Sequence, residues 1–232
     1  NTFSARQVDA LGNESVLSNL WTVTSTGVNN VLSNGDLSGG NTGFTAGAMT
    51  YDATGAAAFN SSFWTSSTSN YSVGSQYESY DSNLTTTTTA TGTVAANAET
   101  SAINWSTKYA TTTNTATLPN PDGAFVGNAL YGGIVGTTQI EIWRKTVNVV
   151  AGQTYTFKVD YWNDSAWLNL GIGSQKFQFT TSNSTSNTTT SEAGHLTASF
   201  TAKTTGTLNL SLYGKGLVVN AGDGNYMIDN FA

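Results

Sequence analysis

In residues 155–161 every second residue is large and apolar. Tyr155, Phe157, Val159 and Tyr161 alternate with Thr156, Lys158 and Asp160, the period-two pattern of a strand with one buried face. Just upstream, Val147 and Val149 alternate with Asn148 before the Ala151-Gly152 turn. Further strands are read over residues 140–144, 168–172, 176–180, 195–201, 207–213 and 226–231. Upstream, 21–25, 30–33, 44–51, 70–77 and 123–131 read the same way. Gly, Asn and Ser punctuate these runs. Windows rich in Ala, Leu, Glu and Lys are nearly absent. The best helical stretch, residues 7–20, has Val8, Leu11, Val16, Leu17 and Leu20 only loosely at helical spacing and Gly12 inside it. A short helix stays open there beside a strand-like arm. The expectation is an all-β chain, an antiparallel β-sandwich of the jelly-roll kind with an N-terminal arm.

Composition then narrows the chemistry. Only 9% of the residues are charged, against roughly 25% in an ordinary soluble domain. There is no cysteine and one histidine, so disulfides, thiolate sites and multi-His metal sites are excluded. A Ser/His/Asp triad would rest on His195, and no Gly-x-Ser-x-Gly elbow accompanies it. Two-carboxylate hydrolysis needs a placed acid pair. The spacing of the 14 Asp and Glu marks none, and a cleft with Asp160 or Asp164 is where one would be sought. No enzyme is expected. The eight Lys and Arg form no basic stripe, which speaks against nucleic acid. No run approaches about 18 apolar residues, so no membrane insertion is expected. The sequence opens on Asn1 with neither a charged n-region nor an apolar h-region. It is read as a mature secreted chain, extracellular or at the cell surface, whose leader has been removed. Low charge also removes most of the repulsion that keeps copies apart, so the chain itself is the expected partner.

Three threonine-rich stretches, 83–93, 111–117 and 180–191, read equally as exposed edge strands or loops. No strict repeat is present. Nine Asn-x-Ser/Thr sequons, including Asn104, Asn163 and Asn209, arise readily in a chain this rich in Asn, Ser and Thr. They are read as unmodified.

Six tryptophans are the strongest binding signal. Flat aromatic faces stack on sugar rings while Asn and Asp bond the hydroxyls. The platform candidates are Trp64 and the Trp162-Asn163-Asp164-Ser-Ala-Trp167 segment. Trp105, beside polar residues in an apparent loop, is the least core-like. The competing use of tryptophan is to fill the core. Asp36, Asp223 and Asp229 sit in turn-like contexts; oxygen ligands suit calcium, and turn formation suits them equally.

The run Asn34-Gly-Asp-Leu-Ser-Gly-Gly-Asn-Thr-Gly-Phe-Thr45 resembles the opening of a jelly-roll domain found in secreted bacterial proteins. That domain is similar to carbohydrate-binding modules, and some of its carriers end in a PEP-type sorting tail. Segments 127–133, 142–157 and 226–231 match its later motifs in order and separation, over residues 30–232. The resemblance implies a two-sheet jelly roll over 30–232. It also implies a structural calcium joining the opening segment to the terminal Asp, here Asp229, with Asp36 nearby and Ser38 where an acid is usual. Members include glycan binders and domains with no known ligand.

Residues 1–29 lie outside the resemblance. The chain ends at Asn230-Phe-Ala232, where the family's last strand runs on, and an unpaired sheet edge is expected there. A neighbour's arm, residues 2–8 or 15–26, would fill it, with Thr2, Phe3, Val8, Val16, Leu20 and Trp21 as assembly residues. Repeated head to tail, that contact builds a fibre. The leading functional expectation is thus a subunit of an extracellular fibre, pilus-like filament or biofilm matrix. The alternative is a carbohydrate-binding module or lectin-like adhesin.

Overall fold

A computed structural model describes residues 2–3, 6–16, 21–22, 31–53, 69–75, 86–112, 127–164, 166–180, 191–216 and 224–232. The chain divides into two compact units, Asn1–Asn30 and Val31–Ala232. In the first, β1 (Thr2–Phe3) pairs antiparallel with β2 (Trp21–Thr22). Val8 bridges Glu14 around a turn in which the Asp9 carboxylate accepts the backbone N–H groups of Leu11 and Asn13. Those N–H groups are the ones a helix would need, and Gly12 adopts a φ of 86°. The helical alternative therefore fails over residues 7–16; Leu17 to Leu20 lie outside the described residues.

Among its described residues the second unit holds thirteen strands. They are β3 (Thr45–Ala46), β4 (Thr50–Tyr51), β5 (Asn70–Gly74), β6 (Thr86–Val94), β7 (Ile103–Thr112), β8 (Ala129–Gly133), β9 (Ile140–Val149), β10 (Thr154–Asp164), β11 (Ala166–Ile172), β12 (Gln175–Gln178), β13 (Ser191–Thr201), β14 (Gly206–Gly216) and β15 (Asn225–Asp229). They form an eight-stranded sheet in the order β4-β5-β8-β15-β10-β13-β7-β6 and a five-stranded sheet in the order β12-β11-β14-β9-β3. All pairings are antiparallel except β4 with β5. Both sheets feed one buried cluster, so the unit is a β-sandwich. No helix occurs among the described residues.

The alternation read from sequence is what closes the sandwich. Phe157, Val159 and Tyr161 of β10 and Leu196, Ala198 and Phe200 of β13 turn inward, as do Trp143, Val147 and Val149 of β9 and Leu208, Leu210 and Leu212 of β14. Trp143 is fully buried and meets Phe44 and Phe231 edge-on, at 5.1 and 5.0 Å between ring centres. Rings in such contact contribute beyond the area they bury.

Three expectations are corrected. The last strand is not an edge: β15 lies between β8 and β10 and pairs with both. Residues beyond it stay paired, through Phe231 N–H to Gly35 O and reciprocal bonds between Ala232 and Lys158. Residues 31–33 form bends and a turn rather than a strand, because Asn34 takes a positive φ of 60° and reverses the chain. Trp105 lies in a strand, β7, rather than a loop.

Candidate functional site

The aromatic platform read from sequence does not assemble. Strand β10 turns Phe157, Val159, Tyr161 and hence Asn163 inward, leaving Asp160 and Trp162 on the opposite face. Asn163 is fully buried and donates from Nδ2 to Ala166 O at 3.0 Å. Trp162 is on the outer face yet only 4% exposed. Trp105 stacks on Phe177, with ring centres 5.6 Å apart and planes 14° from parallel. Its indole lies so close over β6 that a Cβ at Gly92 would stand 2.5 Å from it. The side chain of Asp164, and Trp64 entirely, lie outside the described residues.

Trp167 is different. It sits half-buried on the outer face of the five-stranded sheet, opposite Lys215 on β14, whose Nζ lies 3.6 Å from its ring centre. Lys176 takes the same position over Tyr213, and burial pushes the Tyr213 hydroxyl up. Beside them Arg144 grips Glu141 through two contacts, 2.6 and 3.2 Å. That guanidinium holds the Glu141 carboxyl below its ordinary range. Asn169 faces Tyr213 across the pair. Tyr213 did not stand out in sequence, although the period-two pattern of β14 places it on this face.

The opening loop tests the calcium expectation. Calcium takes six to eight oxygen ligands. Here the loop's carbonyls are held by the chain's own donors. Asn34 Nδ2 donates to Gly40 O (2.8 Å) and Thr42 O (3.0 Å), while its Oδ1 accepts Gly39 N–H (2.7 Å). Asn128 Nδ2 holds Leu37 O at 2.9 Å. Lys145 points inward from β9, only 8% exposed, and reaches Ser33 Oγ at 3.1 Å and Ser33 O at 3.4 Å, 5.0 Å from the Phe44 ring centre. Its ammonium lies 2.5 Å from where a Cβ on Gly43 would stand, and Gly43 has a φ of 82°. Asp36 is exposed and caps Ser38, whose hydroxyl and N–H hold its carboxyl below the ordinary value. Asp229 is fully buried and accepts the Asn230 N–H. No group of three or more His, Cys, Asp or Glu that would hold a metal occurs among the described residues. The residues present do not fit a resident calcium: a lysine and two amides occupy the oxygens it would use.

On the outer face of the eight-stranded sheet, register aligns Asp229, Asp160, His195 and Lys108 across four neighbouring strands. His195 Nδ1 lies 2.5 Å from Asp160 Oδ1, and Asn230 Nδ2 donates to Asp160 Oδ2 at 2.7 Å. Both oxygens of Asp160 are therefore engaged, and the row clamps β10, β13 and the end of β15 together. In the sequence His195 stands as the single histidine; its partner lies thirty-five positions away and only strand register brings them together.

Of the assembly residues, Thr2 and Phe3 pair through their backbones with Thr22 and Trp21. Val8 and Val16 are 58% and 91% exposed, and Leu11 is 88% exposed. Leu20 lies outside the described residues. Sheet edges differ in length. The ends of the five-stranded sheet are β12, four residues, and β3, two; the eight-stranded sheet ends in β4, two residues, and β6, nine. No known protein family matches this chain, and no curated protein matches it.

Proposed function

We propose that this chain is a structural subunit of an extracellular fibre, pilus-like filament or biofilm matrix that grows by adding β-strands between copies. The observation that carries the reading is β6, a nine-residue, uncharged edge strand with no described strand on its other side. Such an edge presents a row of backbone N–H and C=O groups to another chain. The Asn1–Asn30 unit supplies the link between copies, since it displays Val8, Leu11 and Val16 to solvent and β-strand exchange of its arm would cover them. The test is negative-stain electron microscopy of the full chain beside a variant lacking residues 1–26. Fibres that vanish on deletion support the reading. Fibres that persist remove the arm from the mechanism, and monomers in both samples end the fibre reading.

A second reading, glycan binding at the cell surface, draws on Trp167 and Tyr213, half-buried aromatics beside Asn169, Lys176 and Lys215 on one sheet face. Quenching or enhancement of tryptophan fluorescence by added oligosaccharides, lost in Trp167→Ala, would support it. No change across neutral and acidic glycans would remove it.

A further inference from the structure

We propose that two copies of the domain join through β6, edge to edge and antiparallel about a two-fold axis, so that their eight-stranded sheets become one. The proposal rests on the self-association reading above and names its acceptor surface and its partner, a second copy's β6.

Length is the first argument. The other three edges offer two, two and four residues, so among the described edges only β6 itself matches β6. Composition is the second. The strand reads Thr-Thr-Thr-Thr-Ala-Thr-Gly-Thr-Val. It has no Lys, no Pro and no break in its register with β7, which are the ordinary devices that blunt an edge. A strand without charge can face its own copy without repulsion.

The faces match as well. Thr89, Thr91 and Thr93 are exposed on the outer face, while Ala90, Gly92 and Val94 alternate with them and are partly buried. Antiparallel two-fold pairing sets the outer threonines of one copy against those of the other. The domain already uses that contact on this face. Thr154 and Thr201 share a hydroxyl bond of 3.0 Å between β10 and β13, and Thr156 and Ser199 one of 3.1 Å. On the inner side, Val94 and Trp105 pack only partly against the core, and a further strand would cover that flank. The nearest cation on the outer face is Lys108, opposite Thr89 on β7. Three interstrand spacings would separate it from its copy in the closest register, about 14 Å. That exceeds the screening length of about 8 Å at physiological salt.

A two-fold contact of this kind closes at a dimer. It supplies the building block, and the Asn1–Asn30 unit supplies the link that makes a fibre. The experiment uses the absence of native cysteine. Thr89→Cys, Thr91→Cys and Thr93→Cys are each made in the full chain, oxidised, and run on a non-reducing gel. Disulfide geometry demands close Cβ atoms, so one position nearest the axis should cross-link to most of the chain while the others fall away. In the variant lacking residues 1–26, a dimer should sediment, and Thr89→Lys with Thr91→Lys should convert it to a monomer with an unchanged far-ultraviolet circular dichroism spectrum, whose melting temperature no longer depends on protein concentration. Oligomers that form without position-dependent cross-linking overturn the β6 pair and leave the fibre reading standing. A Thr91→Cys disulfide to Val8→Cys of another chain, rather than to itself, also overturns it, since the edge then accepts the arm. Monomers of the full chain at every concentration overturn both.

Discussion

The two sheets of the sandwich end differently. The five-stranded sheet stops at short strands on both sides, and its outer face keeps each described cation on a partner: Lys215 on Trp167, Lys176 on Tyr213, Arg144 on Glu141. The eight-stranded sheet carries its ionisable row, Asp229, Asp160, His195 and Lys108, on β15, β10, β13 and β7 and runs out into uncharged threonine at β6. Short edges and edge charge are the two commonest protections against unwanted pairing. One sheet has short edges at both ends; the other leaves one long edge with neither protection. An association surface can therefore be marked by what is left out, with no pocket or patch to announce it.

The contrast concerns outer faces and edges, and it should vanish in the core. Trp143 belongs to the five-stranded sheet, yet it packs on Phe231 beyond β15, against the other sheet. Trp143→Ala should cost about 3–5 kcal/mol, read as a lower urea midpoint with one transition. Separate loss of the two sheets, followed by far-ultraviolet circular dichroism and by fluorescence, would show that they are less tied together than the shared core implies.

The next effect tests how the opening loop is held. Asn34→Ala removes three hydrogen bonds from a residue at positive φ and should cost about 1–3 kcal/mol. Lys145→Met should cost about 1 kcal/mol, because losing the contacts to Ser33 is partly offset by relief from burying an ammonium. The two variants differ in pH dependence. Burial holds the Lys145 ammonium below its ordinary value, so the folded chain sheds that proton first as pH rises. Between the folded value and the unfolded value of about 10.4 the unfolded chain binds more protons, and stability rises with pH. Burial raises Tyr71, Tyr131, Tyr213 and Tyr226, which act in the opposite sense above about pH 10. The quantity to measure is therefore the difference between wild type and Lys145→Met over the alkaline range. A flat difference would mean the ammonium is not buried in solution. Millimolar calcium or EDTA should leave the melting temperature of the wild type unchanged, since only a ligand that binds the folded state raises it.

The strands were legible where one face alone is buried. Residues 153–162 and 207–213 announce β10 and β14 because Phe157 and Val159, or Leu208 and Leu210, recur at a period of two. β7 was missed because Ile103, Trp105 and Thr107 mark its inner face with one residue that is polar, Thr107, whose hydroxyl meets Tyr161. The same pattern placed Lys145 on an inward face between Trp143 and Val147, a signal that was available and went unread. Asn163 was misassigned for the converse reason: its neighbours Trp162 and Asp164 suggested a platform, while strand parity puts it on the other side. The β6 edge was legible as one of two alternatives; which one holds depends on strand order, and strand order is a long-range property. His195 and Asp160 meet for the same reason.

The smallest expected effect bears on the outer face of the five-stranded sheet. Lys215→Met removes a cation from the Trp167 ring while keeping a side chain of similar length. A cation over a partly exposed indole contributes about 0.5–1 kcal/mol, so the urea midpoint should fall slightly and the tryptophan emission should shift. The same substitution separates the two functional readings. If the face serves only to keep this sheet soluble and apart, uncovering the indole changes stability and emission and nothing else. If the face receives a neutral glycan, the lysine competes with the sugar for the ring, and Lys215→Met should bind more tightly. If the glycan is acidic, the ammonium is part of its recognition and binding should weaken. A titration with neutral and uronic-acid oligosaccharides reads all three outcomes from one variant, and only the first leaves the five-stranded sheet as a purely protective counterpart to β6.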